Sequence, residues 1–255
     1  MRTAIVIPAR YGSTRLHAKA LLKSTGKYLI QHVYEQAIQA RCAERVLIAT
    51  DDMRIEAAVR SFGGEVVMTR KDHPSGTDRI AEVARGLDVD ILVNVQGDEP
   101  MIDPAAIDRL ADLLRDNPTA EVATLAVPIT SVEVYRNPNC VKVVCDQGGR
   151  ALYFSRSPIP MVRDGEPDFQ KRPAQFLHHL GLYAYRKPTL LQLAATPPAT
   201  IEQLEKLEQL RLLAGGGTIQ VGVVGHAAGG VDTFEDYQRF VQAYRHAKQA
   251  IRRAA

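Results

Sequence analysis

The chain has 255 residues, 45% of them hydrophobic and 24% charged, with a formal net charge of +3. That length can bury a full core, and the balance argues against a disordered chain or a dedicated nucleic-acid binder while leaving room for a local basic pocket. Cys42, Cys140 and Cys145 form no CxxC pair and leave an odd count, so neither a disulfide scaffold nor a structural zinc site is expected. A reducing cytoplasm is the natural compartment. No apolar run reaches the roughly 18 residues of a membrane span, and the N-terminus reads as a first strand rather than a signal.

The first strand, Thr3–Ile7, ends in a loop running from Pro8 to Lys19 that carries Arg10, Arg15 and Lys19 with Gly12, Ser13 and Thr14 and no acid. Convergent cations and backbone amides of this kind suit an oligophosphate, although neither a Walker loop nor GxGxxG is present; a solvated basic loop is the plainer alternative. Helical spacing follows over 28–40. A second strand over 46–49 ends at Thr50-Asp51-Asp52, where Asp51 is expected to cap a helix reaching Arg60. After a third strand at 65–68, the segment from Asp72 to Arg79 places Ser75, Gly76 and Thr77 at a helix start. Those groups can serve a nucleotide, or Ser75 can simply cap the helix.

Residues 91–95 read as a buried parallel strand that stops at Gln96-Gly97-Asp98-Glu99-Pro100. Two carboxylates therefore emerge at the carboxyl edge of a sheet, where open α/β folds bind ligands and where a hard divalent cation can touch a phosphate. A turn whose acids face solvent is the alternative. A helix over 103–115 and a strand over 121–127 continue the alternation, which implies right-handed crossovers and a mainly parallel sheet.

The rhythm then changes to a hairpin, 141–145 with 151–154, followed by a polar stretch. Residues 129–185 read as an inserted β-rich subdomain of one 1–255 domain. In the strand around 178–185, His179 and Tyr183 share a face. One helix is expected over 202–211, its acids solvated and Leu204, Leu207 and Leu210 or Arg211 on one stripe. After a last strand over 219–224, Asp232 is either the N-cap of the final helix or a second ligand for the cation at Asp98.

Taken together, these stretches resemble the 3-deoxy-manno-octulosonate (Kdo) cytidylyltransferase family. The matching segments are Ile7–Tyr11 with Ser13–Leu16, Ala49–Asp52, His73–Arg79, Asn94–Pro100, Phe154–Arg156 with Pro158–Pro160, His179–Tyr183, Leu207–Arg211 and Gly230–Thr233. They occur in order over nearly the whole chain. One departure is that the family usually reads Arg-Leu-Pro-Gly-Lys-Pro where this chain has Arg15-Leu16-His17-Ala18-Lys19-Ala20. The resemblance implies a Rossmann-like, mainly parallel sheet flanked by helices, of the nucleotide-diphospho-sugar transferase type. It implies transfer of CMP from CTP to the anomeric hydroxyl of Kdo, for lipopolysaccharide synthesis, in a cytoplasmic homodimer joined through the inserted segment. By the same resemblance, Asp98 and Asp232 would hold Mg²⁺, with Arg10, Lys19 and Asp98 as the catalytic set. Pro8, Ala9, Arg10, Ser13, Arg15, Lys19, Ser75 and Gly76 would bind the nucleotide, and Gln96, Arg156, His179, Tyr183 and Glu208 the sugar acid. Two alternatives stay open: a cytidylyltransferase for another 2-keto sugar acid, of 8-amino-Kdo or sialic-acid type, and a catalytically silent nucleotide-binding relative.

Overall fold

The computed structural model describes residues 1–12, 16–227 and 229–254, with side chains of the last helix described to 249. Ser13 and Arg15, two of the expected nucleotide-binding residues, lie outside the described residues. The chain forms two compact units, one of Ala4–Leu87, Asn94–Ile107 and Ala228–Ala255, the other of Met1–Thr3, Asp88–Val93 and Asp108–Ala227.

The first unit is built on parallel strands. Strand β1 (Thr3–Ala9) pairs with β2 (Arg45–Thr50), and β2 with β3 (Val66–Met68). Ile5, Val6 and Ile7 are fully buried, as the uninterrupted aliphatic run requires of a strand covered on both faces. Helices α1 (Leu29–Ala37), α2 (Met53–Ser61) and α3 (Gly76–Arg85) separate the strands. Strand β4 (Ile91–Asn94) lies in the second unit up to Val93; the chain re-enters the first unit from Asn94 through the start of α4 (Pro104–Asp116), and that unit closes with α9 (Phe234–Ala254). Leu29, Tyr237, Phe240 and Val241 form a buried cluster there, and the Tyr237 hydroxyl accepts the Ser24 amide at 2.7 Å.

In the second unit β4 is followed across the sheet by β8 (Leu177–Arg186), β5 (Val122–Pro128) and β9 (Ile219–Val223). The pair β5–β8 is antiparallel and β5–β9 parallel. The expected hairpin is present as β6 (Lys142–Cys145) and β7 (Ala151–Ser155), with β6 also pairing β8. The 129–185 stretch also contains α5 (Val132–Arg136), a helix the sequence pattern did not reveal, and most of β8, which is a central strand of its unit. Tyr135, Phe169 and Phe176 pack edge-on around Ile129 and give that segment a small core of its own. After α6 (Lys187–Ala195), the single helix expected over 202–211 is two short ones, α7 (Thr200–Glu205) and α8 (Gln209–Ala214). Lys206, at φ 55°, breaks them apart. The apolar stripe fails with the break, since Leu204 is exposed while Leu207 and Leu210 are buried.

Of the acids expected on a solvated face, Glu208 is exposed but Glu202 is not. Glu202 is buried, accepts Arg211 Nη2 at 2.6 Å and Nε at 2.9 Å, and also receives the Ala199 amide at 3.0 Å. Burial pushes its carboxyl up, but the Arg211 and Ala199 hydrogen bonds outweigh that and hold it below the usual range. A depressed folded-state pKa stabilises the fold above the unfolded value of about 4.3, and that contribution is lost as pH falls through the folded value. Glu202→Gln leaves Arg211 charged and uncompensated, so it is expected to cost about 3 kcal/mol in a thermal or urea melt at pH 7. The cost shrinks as the melt is repeated toward pH 3. A second test concerns Ala18, which sits left-handed at φ 51° and ψ 30° before a 3₁₀ turn at Lys19–Leu21. Ala18→Gly removes a Cβ clash of about 1 kcal/mol, so the melting temperature should rise by roughly 2–4 °C.

Candidate functional site

The turn after β4 takes its shape from close backbone contact. A Cβ at Gly97 would lie 2.8 Å from the Pro8 carbonyl oxygen, so a side chain there would push the turn off the end of β1. The close approach at Gly97 is thus to the chain's own backbone. Gly76, at the start of α3, rests on the same residue, its Cβ position 3.4 Å from Pro8 Cγ. Pro8, Gly76 and Gly97, drawn from three segments, share one place. Ala9 is buried beside them, Arg10 is exposed, and Gln96 is half-buried.

Asp98 and Asp232 are brought side by side by a backbone hydrogen bond. The buried Val231 donates its amide to the Asp98 carbonyl at 2.8 Å, and its side chain packs into the cluster of Leu29, Tyr237 and Phe240. Lys19 Nζ then donates to Asp98 Oδ2 at 2.6 Å and to Asp232 Oδ1 at 3.3 Å. Asp232 does not cap the final helix. Thr233 Oγ1 accepts the Asp236 amide at 3.2 Å, while Asp236 Oδ2 accepts the amides of Thr233 at 2.8 Å and Asp232 at 3.1 Å. With the cap supplied by Thr233 and Asp236, the Asp232 carboxylate turns to the cation. Glu99 does not share that work: burial and then the Asp98 charge raise its carboxyl to about 8, so it is largely protonated at neutral pH.

Two carboxylates converging on one cation fit a magnesium-type ion, which takes one or two carboxylates and completes its shell with water and phosphate oxygens. Among the described residues no group of three or more His, Cys, Asp or Glu could hold a metal ion.

Several motif residues hold the first unit together. Asp52, not Asp51, caps α2, accepting the Arg54 amide at 2.9 Å. Asp51 instead pairs with the buried Arg79 at 3.3 Å, and Arg79 also donates to Thr69. Ser75 caps α3 through the Asp78 amide at 3.2 Å, and His73 is bonded to Glu82. Sequence reasoning missed Arg54, whose guanidinium lies 3.3 Å over the Tyr11 ring while gripping Asp52. His17 meets Tyr11 edge-on, their ring centroids 4.9 Å apart.

The second unit carries the remaining candidates. His179 is buried, with Nε2 3.0 Å from Thr124 Oγ1, and its ring lies 5.4 Å from that of Tyr183, as their shared strand face requires. Burial, followed by the charge of His178, lowers His179 to about 3, so its imidazole stays neutral. Burial raises the Tyr183 hydroxyl well above its ordinary value, and it stays protonated as well. Tyr183 and Glu208 line one small cleft with Tyr185, Gln209, Val122 and Leu212. The Gln209 amide nitrogen is buried without a hydrogen-bond partner among the described residues, a donor that the pattern of leucines around it did not single out. Arg156 Nε, Nη1 and Nη2 donate to the carbonyls of Glu205 at 2.7 Å, Pro138 at 3.0 Å and Lys206 at 3.4 Å. Of its five N–H groups, that leaves two for other acceptors. The Glu205 carboxylate receives Ser155 Oγ at 2.6 Å and the Arg156 amide at 2.9 Å.

Residues 4–219 match a family model described as cytidylyltransferase. A 3-deoxy-manno-octulosonate cytidylyltransferase of Syntrophobacter fumaroxidans is 51% identical over 94% of this chain and 96% of its own length. The enzyme of the same name from Cellvibrio japonicus is 52% identical over 92% of this chain and 95% of its own. A solved CMP:2-keto-3-deoxy-manno-octonic acid synthetase complexed with CTP superposes with a TM-score of 0.90 at 45% identity, covering 97% of this chain and all of that one. A 4-diphosphocytidyl-2C-methyl-D-erythritol synthase from Anaerococcus prevotii, 12% identical with a TM-score of 0.64 over 96% of this chain and 98% of its own, shares the fold alone. That fold is the expected mostly parallel, mixed sheet flanked by helices. The ordered motifs, the paired carboxylates and the near-complete coverage agree: the chain belongs to the 3-deoxy-manno-octulosonate cytidylyltransferase family.

Proposed function

We propose that this protein transfers CMP from CTP to the anomeric hydroxyl of Kdo, giving CMP-Kdo and pyrophosphate. The observation that carries this reading is the cluster of Asp98, Asp232 and Lys19 at the end of the strand edge, in a chain that matches Kdo cytidylyltransferases over 94% of its length. The hydroxyl oxygen of the sugar forms a bond to the α-phosphorus in line, the bond from that phosphorus to the pyrophosphate oxygen breaks, and the hydroxyl proton is lost. Transfer of this kind depends on positioning and charge neutralisation rather than on a covalent intermediate with the protein.

Asp98 and Asp232 would hold Mg²⁺, which when bound supplies positive charge at the α-phosphate and lowers the pKa of the attacking hydroxyl. Arg10, Arg15 and Lys19 offset the charge of the triphosphate and of the departing pyrophosphate. Pro8, Ala9, Ser13, Ser75 and Gly76 surround the nucleotide, with backbone groups reading cytosine. Gln96, Arg156, His179, Tyr183 and Glu208 hold the sugar acid, Arg156 through its carboxylate and the others through its hydroxyls. The neutral states of His179 and Tyr183 suit that work, since both engage hydroxyls without adding charge. Gln209 adds an amide donor in the cleft lined by Tyr183 and Glu208.

We also read the protein as a cytoplasmic homodimer with contacts in 129–185. Support comes from exposed apolar side chains in that segment, Met161 at 82% and Leu152 at 57%, and no helix among the described residues is long and apolar enough to cross a membrane.

Asp98→Asn is expected to lower kcat/KM by a hundredfold or more, about the loss seen when one preorganised charge contact is removed, with an unchanged melting curve. EDTA should stop the wild-type enzyme, and added Mg²⁺ should restore it. A near-wild-type rate for Asp98→Asn would sink the metal assignment.

A further inference from the structure

Lys142, on strand β6, is a fully buried cation, 0% exposed. Its three ammonium protons are all used, on the carbonyls of Cys140 at 2.6 Å, Arg156 at 2.6 Å and Asn137 at 2.9 Å. Among the described residues no carboxylate comes within 4 Å of it. A buried cation without an anion is costly, and an apolar residue of similar volume is often no worse for stability. Its value therefore lies in what it fixes.

Those three carbonyls belong to a closed circuit. Lys142 holds Asn137 and Cys140 at either end of the 137–140 loop, and the Arg156 guanidinium holds Pro138 in its middle. Lys142 also holds the Arg156 carbonyl, while Glu205 holds the Arg156 amide. The guanidinium then reaches the carbonyls of Glu205 and Lys206, at the break between α7 and α8 that presents Glu208. Strand pairing adds to this, since Lys142 lies opposite Ser155 on β7 and His178 on β8. Without the ammonium, the 137–140 loop and the Arg156 backbone both lose their anchor, and the guanidinium loses the frame that orients it.

We infer that Lys142 is a positioning residue for acceptor recognition: it sets the Arg156 guanidinium so that the two N–H groups left over meet the carboxylate of the sugar acid. This rests on Arg156 binding the acceptor, as proposed above. The circuit lies wholly within the second unit and the proposed nucleotide residues belong to the first, so the effect is expected on one substrate.

The test is a mutant cycle on the full-length enzyme, with KM measured separately for CTP and Kdo. Lys142→Met is expected to raise the KM for Kdo about tenfold, with the KM for CTP within about twofold of wild type. In an Arg156→Ala background, Lys142→Met should add less than a twofold further rise, because the group it positions is gone. Full additivity, or a parallel rise in both KM values, would mean that Lys142 only supports the fold and would overturn the inference. An unchanged KM for Kdo in Arg156→Ala alone would instead remove the acceptor role of Arg156, and the inference with it. If Lys142→Met does not fold, Lys142→Arg keeps the charge but misplaces its donors, and a wild-type KM for Kdo in that variant would be equally fatal.

Discussion

The hydrogen bond from the Val231 amide to the Asp98 carbonyl is the constraint on which the site depends. It joins the turn after β4 to a segment that arrives near the end of the chain, and it does so with backbone atoms, so no side chain is spent. Burial of Val231 against Leu29 and Tyr237 shields that bond from water. Two carboxylates separated by most of the sequence are thereby held close enough to share one cation. Had Asp232 capped α9, the pair would not exist; Thr233 and Asp236 perform that task instead.

The two units solve different electrostatic problems. In the first, the carboxylates are partly exposed and a mobile cation can balance them, which suits a substrate that brings its own negative charge. In the second, the titratable groups are kept neutral by burial, as at His179 and Tyr183, or are tied to backbone, as at Lys142 and Arg156. If the second unit holds the acceptor as proposed, fixed donors of that kind would suit its hydroxyls.

Much of this was legible in the sequence, for definite physical reasons. The runs Ala4–Ile7 and Ile91–Val93 are aliphatic without interruption because they are covered on both faces, and that pattern has few other readings. The carboxylates after Gly97 stood out because the strand stops so abruptly. Tertiary partners were less visible. Asp51 and Asp52 are adjacent acids before one helix, and only the position of Arg79 tells which one is free to cap. The regular leucines of 204–210 hid a break at Lys206, because a lysine in left-handed geometry leaves no trace in hydrophobic spacing. Lys142 was invisible for a simpler reason: its partners are carbonyl groups, which every residue has.

The most direct measurement is pyrophosphate release from CTP with magnesium, with Kdo and without it. The account predicts release that requires Kdo and fails when ATP or GTP replaces CTP. Release that ignores the sugar, or no release with Kdo while 8-amino-Kdo or sialic acid supports turnover, would contradict it.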